Sequence, residues 1–222
     1  MPTKKIKADT EALAYTRPSF PLYCDRLRKS HPEIASIHNR GGYPPYWKRA
    51  NNFESLCKTI IEQQVSLVSA RSSYLRLRSY AEGMLPARLA TMTRDEFRAC
   101  GITKQKATYL QLLAQHLIQH PDFFHQLKQE SHADVFSQLT ALKGIGPWTA
   151  GVYMLVALNR LDVFPEQDVA LLNSIGYELF DGRRPNQKEA QQVMQQYAPL
   201  RSIASCYFYQ AYILKKKIHF VP

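Results

Sequence analysis

Apolar residues recur along this chain at intervals of three and four, the spacing that lines one face of an α-helix. The pattern is clearest from residue 53 onward. Phe53, Leu56, Ile60 and Ile61 form one stripe, and Leu110, Leu113, Leu117 and Ile118 form another. Ser66 can cap a helix carrying Val68, Leu75 and Leu77. Ser131 with Asp134 marks a start that leads through Val135, Phe136 and Leu139. Thr93 with Glu96, and Asn186 with Glu189, have the spacing of a capping box, in which cap and third residue satisfy each other. Gly101 stops one helix, Thr103 starts the next, and His120-Pro121 ends it. A first helix is expected around Phe20 to His31, before the breaking run Gly41-Gly42-Tyr43-Pro44-Pro45. Pro199 can open a last helix ending in Lys215-Lys216-Lys217, whose charges suit the negative end of a helix dipole. No stretch alternates at period two, so the pattern predicts an all-α fold. Residues 1–16 are polar and read as a flexible arm ahead of a helical core over 17–222.

One segment stands apart. A helix ends near Leu142, Gly144 and Gly146 flank Ile145, and Pro147 sits where a first helical residue is expected. Glycines at such a turn let the backbone approach a ligand, and the amides at the start of the new helix can face a phosphate oxygen. Such a grip would hold DNA without reading its sequence. Glycine spacing alone fits a plain helix–turn–helix connection equally well. Twenty residues past Trp148 comes Asp168, at the end of Asp162-Val163-Phe164-Pro165-Glu166-Gln167-Asp168. A helix running through Leu171, Leu172 and Ile175 would place Asp168 in its first turn, where free amides favour a carboxylate. Many acidic residues at such positions are only caps.

Composition narrows the class. The chain has 222 residues, 45% of them hydrophobic, enough for a real core. A net charge of +11 favours a polyanionic partner, nucleic acid first and an acidic membrane surface second, although Lys4, Lys5 and Lys7 of the arm contribute to it. The four cysteines are scattered, as expected of reduced thiols in an intracellular protein of cytoplasm, nucleoid or nucleus. No apolar run is long enough to cross a bilayer. His116 and His120 have metal-ligand spacing but no third partner, and are expected to be surface residues rather than a metal site. The stripe Tyr207, Phe208, Tyr209 and Tyr212 reads as helix core.

Leu-x-Gly-Ile-Gly-Pro-Trp-Thr-Ala over residues 142–150, followed at this distance by Asp-Val-Phe-Pro-x-x-Asp, resembles the helix-hairpin-helix base-excision glycosylases, and within them the DNA-3-methyladenine glycosylase II branch. Three further segments resemble that family in order. These are Phe53 through Ser66, Gly101 through Ala107, and Tyr197-Ala198-Pro199-Leu200-Arg201-Ser202. The resemblance covers roughly residues 50–215.

It implies a two-lobed helical core of the endonuclease III type without an N-terminal β domain. Lobe A would comprise 17–52 with 165–222, and lobe B 53–164 including the hairpin 142–150. It implies that Asp168 is the catalytic carboxylate, stabilising the positive charge that builds on the sugar as a base leaves and assisting the attacking water. An alkylated purine of the 3-methyladenine or 7-methylguanine type already carries positive charge and needs no strong acid to depart. Trp148 stands where strand-cutting relatives have lysine, so simple base removal is implied. Gln64, or its neighbour Gln63, would be the wedge that replaces the extruded base. Trp148 and Tyr197 would line the pocket, with Tyr153 a third candidate that lies one position after Val152, where the family's second aromatic falls. Lys143, Gly144, Ile145, Gly146 and Thr149 would form the phosphate-binding hairpin, whose backbone carbonyls can also hold a monovalent cation in this family. Asp162 is read as a structural cap, Glu166 as solvated and Arg201 as steadying the C-terminal segment. No cofactor is implied, since an iron–sulfur cluster needs four clustered cysteines and only Cys206 is C-terminal. The implied partner is double-stranded DNA carrying damaged bases, bound by a monomer. Two other functions stay open: a non-enzymatic helix-hairpin-helix DNA-binding module, and a glycosylase for another lesion such as a deaminated base.

Overall fold

The computed structural model describes residues 13–218. Among the described residues there are thirteen helices and no strand beyond one isolated bridge between Ala14 and Arg160. They are α1 (Phe20–Ser30), α2 (Pro32–Gly41), α3 (Phe53–Glu62), α4 (Leu67–Tyr80), α5 (Pro86–Thr91), α6 (Arg94–Ala99), α7 (Lys104–Gln119), α8 (Phe123–Gln129), α9 (His132–Ala141), α10 (Pro147–Val156), α11 (Val169–Leu179), α12 (Gln187–Gln195) and α13 (Arg201–Lys216). The all-α expectation holds. Both predicted capping boxes form, at Thr93 and at Asn186. Helices α2, α5 and α8 are additions to the sequence reading, and Pro32 and Pro86 open two of them at a first helical position.

Two apolar cores organise the helices. One is built from α3 to α10, with Leu56, Ile60, Phe97, Leu110, Tyr153 and Met154 among its members. The other gathers α1, α2, α11 and α13 around Phe20, Ile37, Ile175, Ile203 and Phe208. Helix α10 serves both, sending Ala150, Tyr153 and Met154 into the first core and Leu155 into the second. A helix between two cores is apolar on all sides, which explains why Pro147–Val156 carries almost no polar residue.

Three expectations need correction. Residues 1–12 of the anticipated arm lie outside the described residues, but 13–16 are docked. Tyr15 is buried, its amide donates to the Asn159 carbonyl at 2.9 Å, and the Leu13 carbonyl accepts from the Leu161 amide at 3.1 Å. Helix α4 buries Ala70, Ser73 and Leu77, whereas Val68 and Leu75 are 81% and 50% exposed. Ile118 of α7 is also exposed. The face that α4 buries runs through Ala70, Ser73 and Leu77 instead, one to two residues off the stripe that periodicity suggests.

Candidate active site

The site begins where α3 stops. Asn52 caps the helix start, its Oδ1 accepting from the Ser55 amide at 3.0 Å. At the far end the chain turns through Gln64, whose φ of 54° is a left-handed conformation unusual for a residue with a side chain. Lys106 satisfies carbonyls that the helix terminus leaves unpaired, its Nζ donating to the oxygens of Ile61 at 2.7 Å and Gln63 at 2.8 Å. Burial lowers the pKa of this ammonium. The Gln63 amide donates to the Gly144 carbonyl at 2.8 Å and to Thr149 Oγ1 at 2.9 Å. Gln63 therefore fastens the α3–α4 junction to the hairpin. Gln64, Val65, Leu67 and Val68 are left exposed at its tip.

The hairpin follows α9. Leu142 leaves the helix in an extended conformation, and its carbonyl accepts from the Ile145 amide at 3.1 Å. Gly144 turns the chain at φ 89°, and the ring of Tyr109 occupies the space where a side chain would stand. Ile145 points inward and is buried, Lys143 and Gly146 are exposed, and the Thr149 hydroxyl is turned inward toward Gln63. The hairpin thus presents backbone and one lysine outward. The first amides of α10 lack partners within the helix, which suits an anion.

Helix α10 also sets the distance to Asp168. At Gly151 the segment after α10 packs so close that an added Cβ would lie 3.0 Å from Pro165 Cα. Gln167 then takes φ 62°, and Asp168 becomes the cap of α11. Asp168 is buried, with Oδ1 accepting from the Leu171 amide at 3.0 Å and Oδ2 from Trp148 Nε1 at 2.8 Å. The hairpin helix and the carboxylate are joined directly, through the indole at one and the side chain at the other. Trp148 itself is half-buried, so part of its ring still faces outward.

Two of the predicted pocket residues belong elsewhere. Tyr197 lies in the second core, and its hydroxyl donates to Glu33 Oε1 at 2.6 Å. Tyr153 lies in the first core, donating to Asn51 Oδ1 at 2.8 Å. Each ring is closed off from solvent, so neither can stack on a base without opening a core. Tyr197→Phe and Tyr153→Phe are accordingly expected to leave catalytic rates within about twofold and to cost about 1 kcal/mol of stability each, the worth of a buried hydrogen bond, measured by urea unfolding. Of the other acidic candidates, Asp162 holds Arg201 in a two-pronged pair, Oδ1–Nε at 2.7 Å and Oδ2–Nη2 at 2.8 Å. Burial pulls the Asp162 carboxyl up, but the Arg201 hydrogen bonds and charge outweigh it and hold it below its ordinary pKa. Arg201 so steadies the start of α13. Glu166 accepts from Gln187 Nε2 at 2.9 Å.

The sequence reading passed over Trp47 and did not set Tyr209 apart from the helix core. Tyr209 of α13 is half-buried. Burial, and then the charge of the Asp168 carboxylate, push its phenol well above the ordinary value. Its ring meets Trp47 edge-on, with centroids 6.0 Å apart. Glu62 also acts on this phenol, and is itself paired to Arg49 at 2.7 Å. Trp47 sits in an aperiodic stretch, and Tyr209 was hidden inside a helical aromatic stripe. A cleft of about 390 Å³ lined by His132, Phe136, Asp162 and Arg201 contains neither Trp148 nor Asp168.

Thirteen helices among the described residues packed around two cores, a glycine hairpin opening α10 and a buried carboxylate tied to that helix define a helix-hairpin-helix protein. The chain belongs to the HhH-GPD superfamily of base excision DNA repair proteins, whose family model matches residues 57–199. It is 27% identical to a DNA-3-methyladenine glycosylase of Saccharomyces cerevisiae over 179 residues, 73% of this chain and 60% of that protein. The match thus spans less than two thirds of the yeast relative's length. The crystal structure of a DNA-3-methyladenine glycosidase from Bacillus halodurans superposes with a TM-score of 0.72 at 26% identity, covering 88% of this chain and 91% of that one. A Schizosaccharomyces pombe 3-methyladenine DNA glycosylase in complex with abasic DNA shares the fold with a TM-score of 0.78 at 23% identity, covering 85% and 95%. Among the described residues, no helix is long and apolar enough to cross a membrane.

Proposed function

We propose that this protein is a monofunctional DNA glycosylase that releases alkylated purines from double-stranded DNA. The observation that carries the reading is Asp168, buried and held by the Leu171 amide and the Trp148 indole immediately behind the hairpin. The relatives named above for action on 3-methyladenine support the substrate class.

In this reading the hairpin backbone and Lys143 hold the phosphates, and the exposed tip at Gln64 fills the gap left when the damaged nucleotide turns out of the stack. Extrusion costs a few kcal/mol, least for a base already poorly paired. The positive charge developing on the sugar then meets a fixed, buried carboxylate, where its stabilising effect is large. The departing purine is already cationic, so one carboxylate suffices and the ordinary pair of acid and nucleophile is not needed.

Strand cleavage would need a lysine amine at the sugar. Trp148 occupies the relevant hairpin position, and Lys106, the half-buried lysine nearby in the fold, has its ammonium bound to two carbonyls. Incubation with duplex DNA carrying one 7-methylguanine is expected to yield free base and an intact strand that breaks only on alkali treatment. A strand nicked without alkali, or a covalent adduct trapped by borohydride, overturns the monofunctional reading. Binding with no base released from 7-methylguanine, 3-methyladenine, hypoxanthine or uracil duplexes would favour a non-enzymatic module. Release from hypoxanthine or uracil alone would move the activity to deaminated bases.

A further inference from the structure

Lys106 stands in the first turn of α7, whose cap, Thr103, accepts from the Lys106 amide at 3.3 Å through Oγ1. A cation there lies at the positive end of the helix dipole, and burial further disfavours its charge. For α7 alone the ammonium is misplaced. Its partners belong to another helix. Nζ donates to the carbonyl oxygens of Ile61 at 2.7 Å and Gln63 at 2.8 Å, at the negative end of α3. The next residue, Gln64, takes φ 54°, a conformation that a residue with a side chain keeps only where its surroundings impose it. Every residue from Gln64 to Ser69 is exposed before α4 buries Ala70. Ser66 closes the far side of this tip, its Oγ accepting from the Ser69 amide at 3.2 Å.

We propose that Lys106 is a positioning residue for base extrusion, its ammonium holding the carbonyls of Ile61 and Gln63 so that Gln64 stays turned outward. This role rests on the proposed reading of Gln64 as the residue that fills the space of the extruded nucleotide. Two neighbouring side chains then have different tasks. The Gln63 amide, bonded to Gly144 and Thr149, fixes where the junction sits. Lys106 fixes how the chain leaves it. Without the ammonium, two carbonyls at a helix end lose their donor, and Gln64 is free to exchange its left-handed conformation for a commoner one. The gap-filling side chain then leaves its place while the base is still able to return to the stack. Asp168 keeps its own partners, the Leu171 amide and the Trp148 indole, so the loss falls on extrusion and not on bond cleavage.

Lys106→Met tests this, because it keeps most of the aliphatic stem and removes the donors. Single-turnover release of 7-methylguanine is compared in two duplexes, one with the lesion paired to cytosine and one with it mismatched to adenine, where weaker pairing opposes extrusion less. Release from the paired duplex is expected to fall about tenfold, and from the mismatched duplex less than about threefold. Lys106→Arg, whose guanidinium can donate to both carbonyls, is expected to recover the paired rate to within about threefold of wild type. Lys106→Gln, which keeps a shorter donor, gives the same comparison if methionine prevents folding. Equal losses from both duplexes mark a merely structural role and overturn the proposal. So does an unchanged paired rate, or an equal loss of affinity for undamaged duplex, which marks a phosphate contact. Gln64→Ala is measured alongside. If that variant releases base from the paired duplex at the wild-type rate, the reading of the tip itself fails; if it slows that release while Lys106→Met does not, only the positioning role fails.

Discussion

Asp168→Asn is expected to lower the single-turnover rate of 7-methylguanine release at least about 100-fold, a loss of roughly 3 kcal/mol in transition-state stabilisation. The variant should still fold. Asparagine caps a helix as well as aspartate does, so the bond from the Leu171 amide can survive. The second bond cannot survive with it. If the oxygen of the substituted amide faces Leu171, its NH2 group faces the Trp148 Nε1–H, donor against donor. More important, a neutral amide offers no negative charge to a cationic sugar. Affinity for abasic duplex should stay within about threefold, because a buried carboxylate offers nothing attractive to a phosphate and DNA affinity is set mainly by backbone contacts. Release at the wild-type rate would show that the carboxylate is only the cap of α11.

Gly144→Ala is expected to destabilise the protein by about 3 kcal/mol and to weaken DNA binding at least about tenfold. Two costs add. A side chain at φ 89° is strained by roughly 1–2 kcal/mol, and the new Cβ would collide with Cγ of Tyr109, an overlap costing about 1–3 kcal/mol even after relaxation. Tyr109 cannot swing aside freely, since the contact is at the root of its ring and its hydroxyl accepts from Gln105 Nε2 at 2.7 Å. The Gly144 carbonyl that receives Gln63 would move as well. Gly146→Ala supplies the contrast. That residue has φ −90° and open space around it, so stability should hold within about 0.5 kcal/mol. Any loss of DNA affinity there reports a phosphate approaching the bare backbone. Urea unfolding and fluorescence anisotropy separate the two effects. Equal stability of Gly144→Ala and wild type would mean that the hairpin is not held as described.

Much of this architecture was legible because its signals are local. A capping box lies within four residues, and Thr93 with Glu96 and Asn186 with Glu189 form as the spacing predicts. Asp168 stands out by its distance from the hairpin and by the motif around it, and the structure ties it to the hairpin helix through Trp148; Gly151 helps to set that distance, since it lets Pro165 close on α10. The pocket was less legible. Tyr153 and Tyr197 are aromatic residues at the right distance in sequence, but their rings point into cores. Helix α10 is apolar on every side, so its periodicity does not say which residue faces the cleft. Trp47 has no periodic neighbours at all, and Tyr209 differs from Tyr207 and Phe208 only in which side of a packed helix it stands on. Orientation of that kind is decided by contacts distant in sequence, such as Trp47 with Tyr209 across 162 positions.

The two hydrogen bonds of Gln63 bear on how such an enzyme would find its target. They join the α3–α4 tip to the hairpin at Gly144 and Thr149, while Lys106 clamps the helix end behind it. Tip and hairpin are therefore one piece. A protein that grips phosphates through one part of a rigid piece brings the other part against the base pairs at every encounter, damaged or not. Inspection then needs no separate closing step, and the time spent at each site is set by how readily that particular base pair yields.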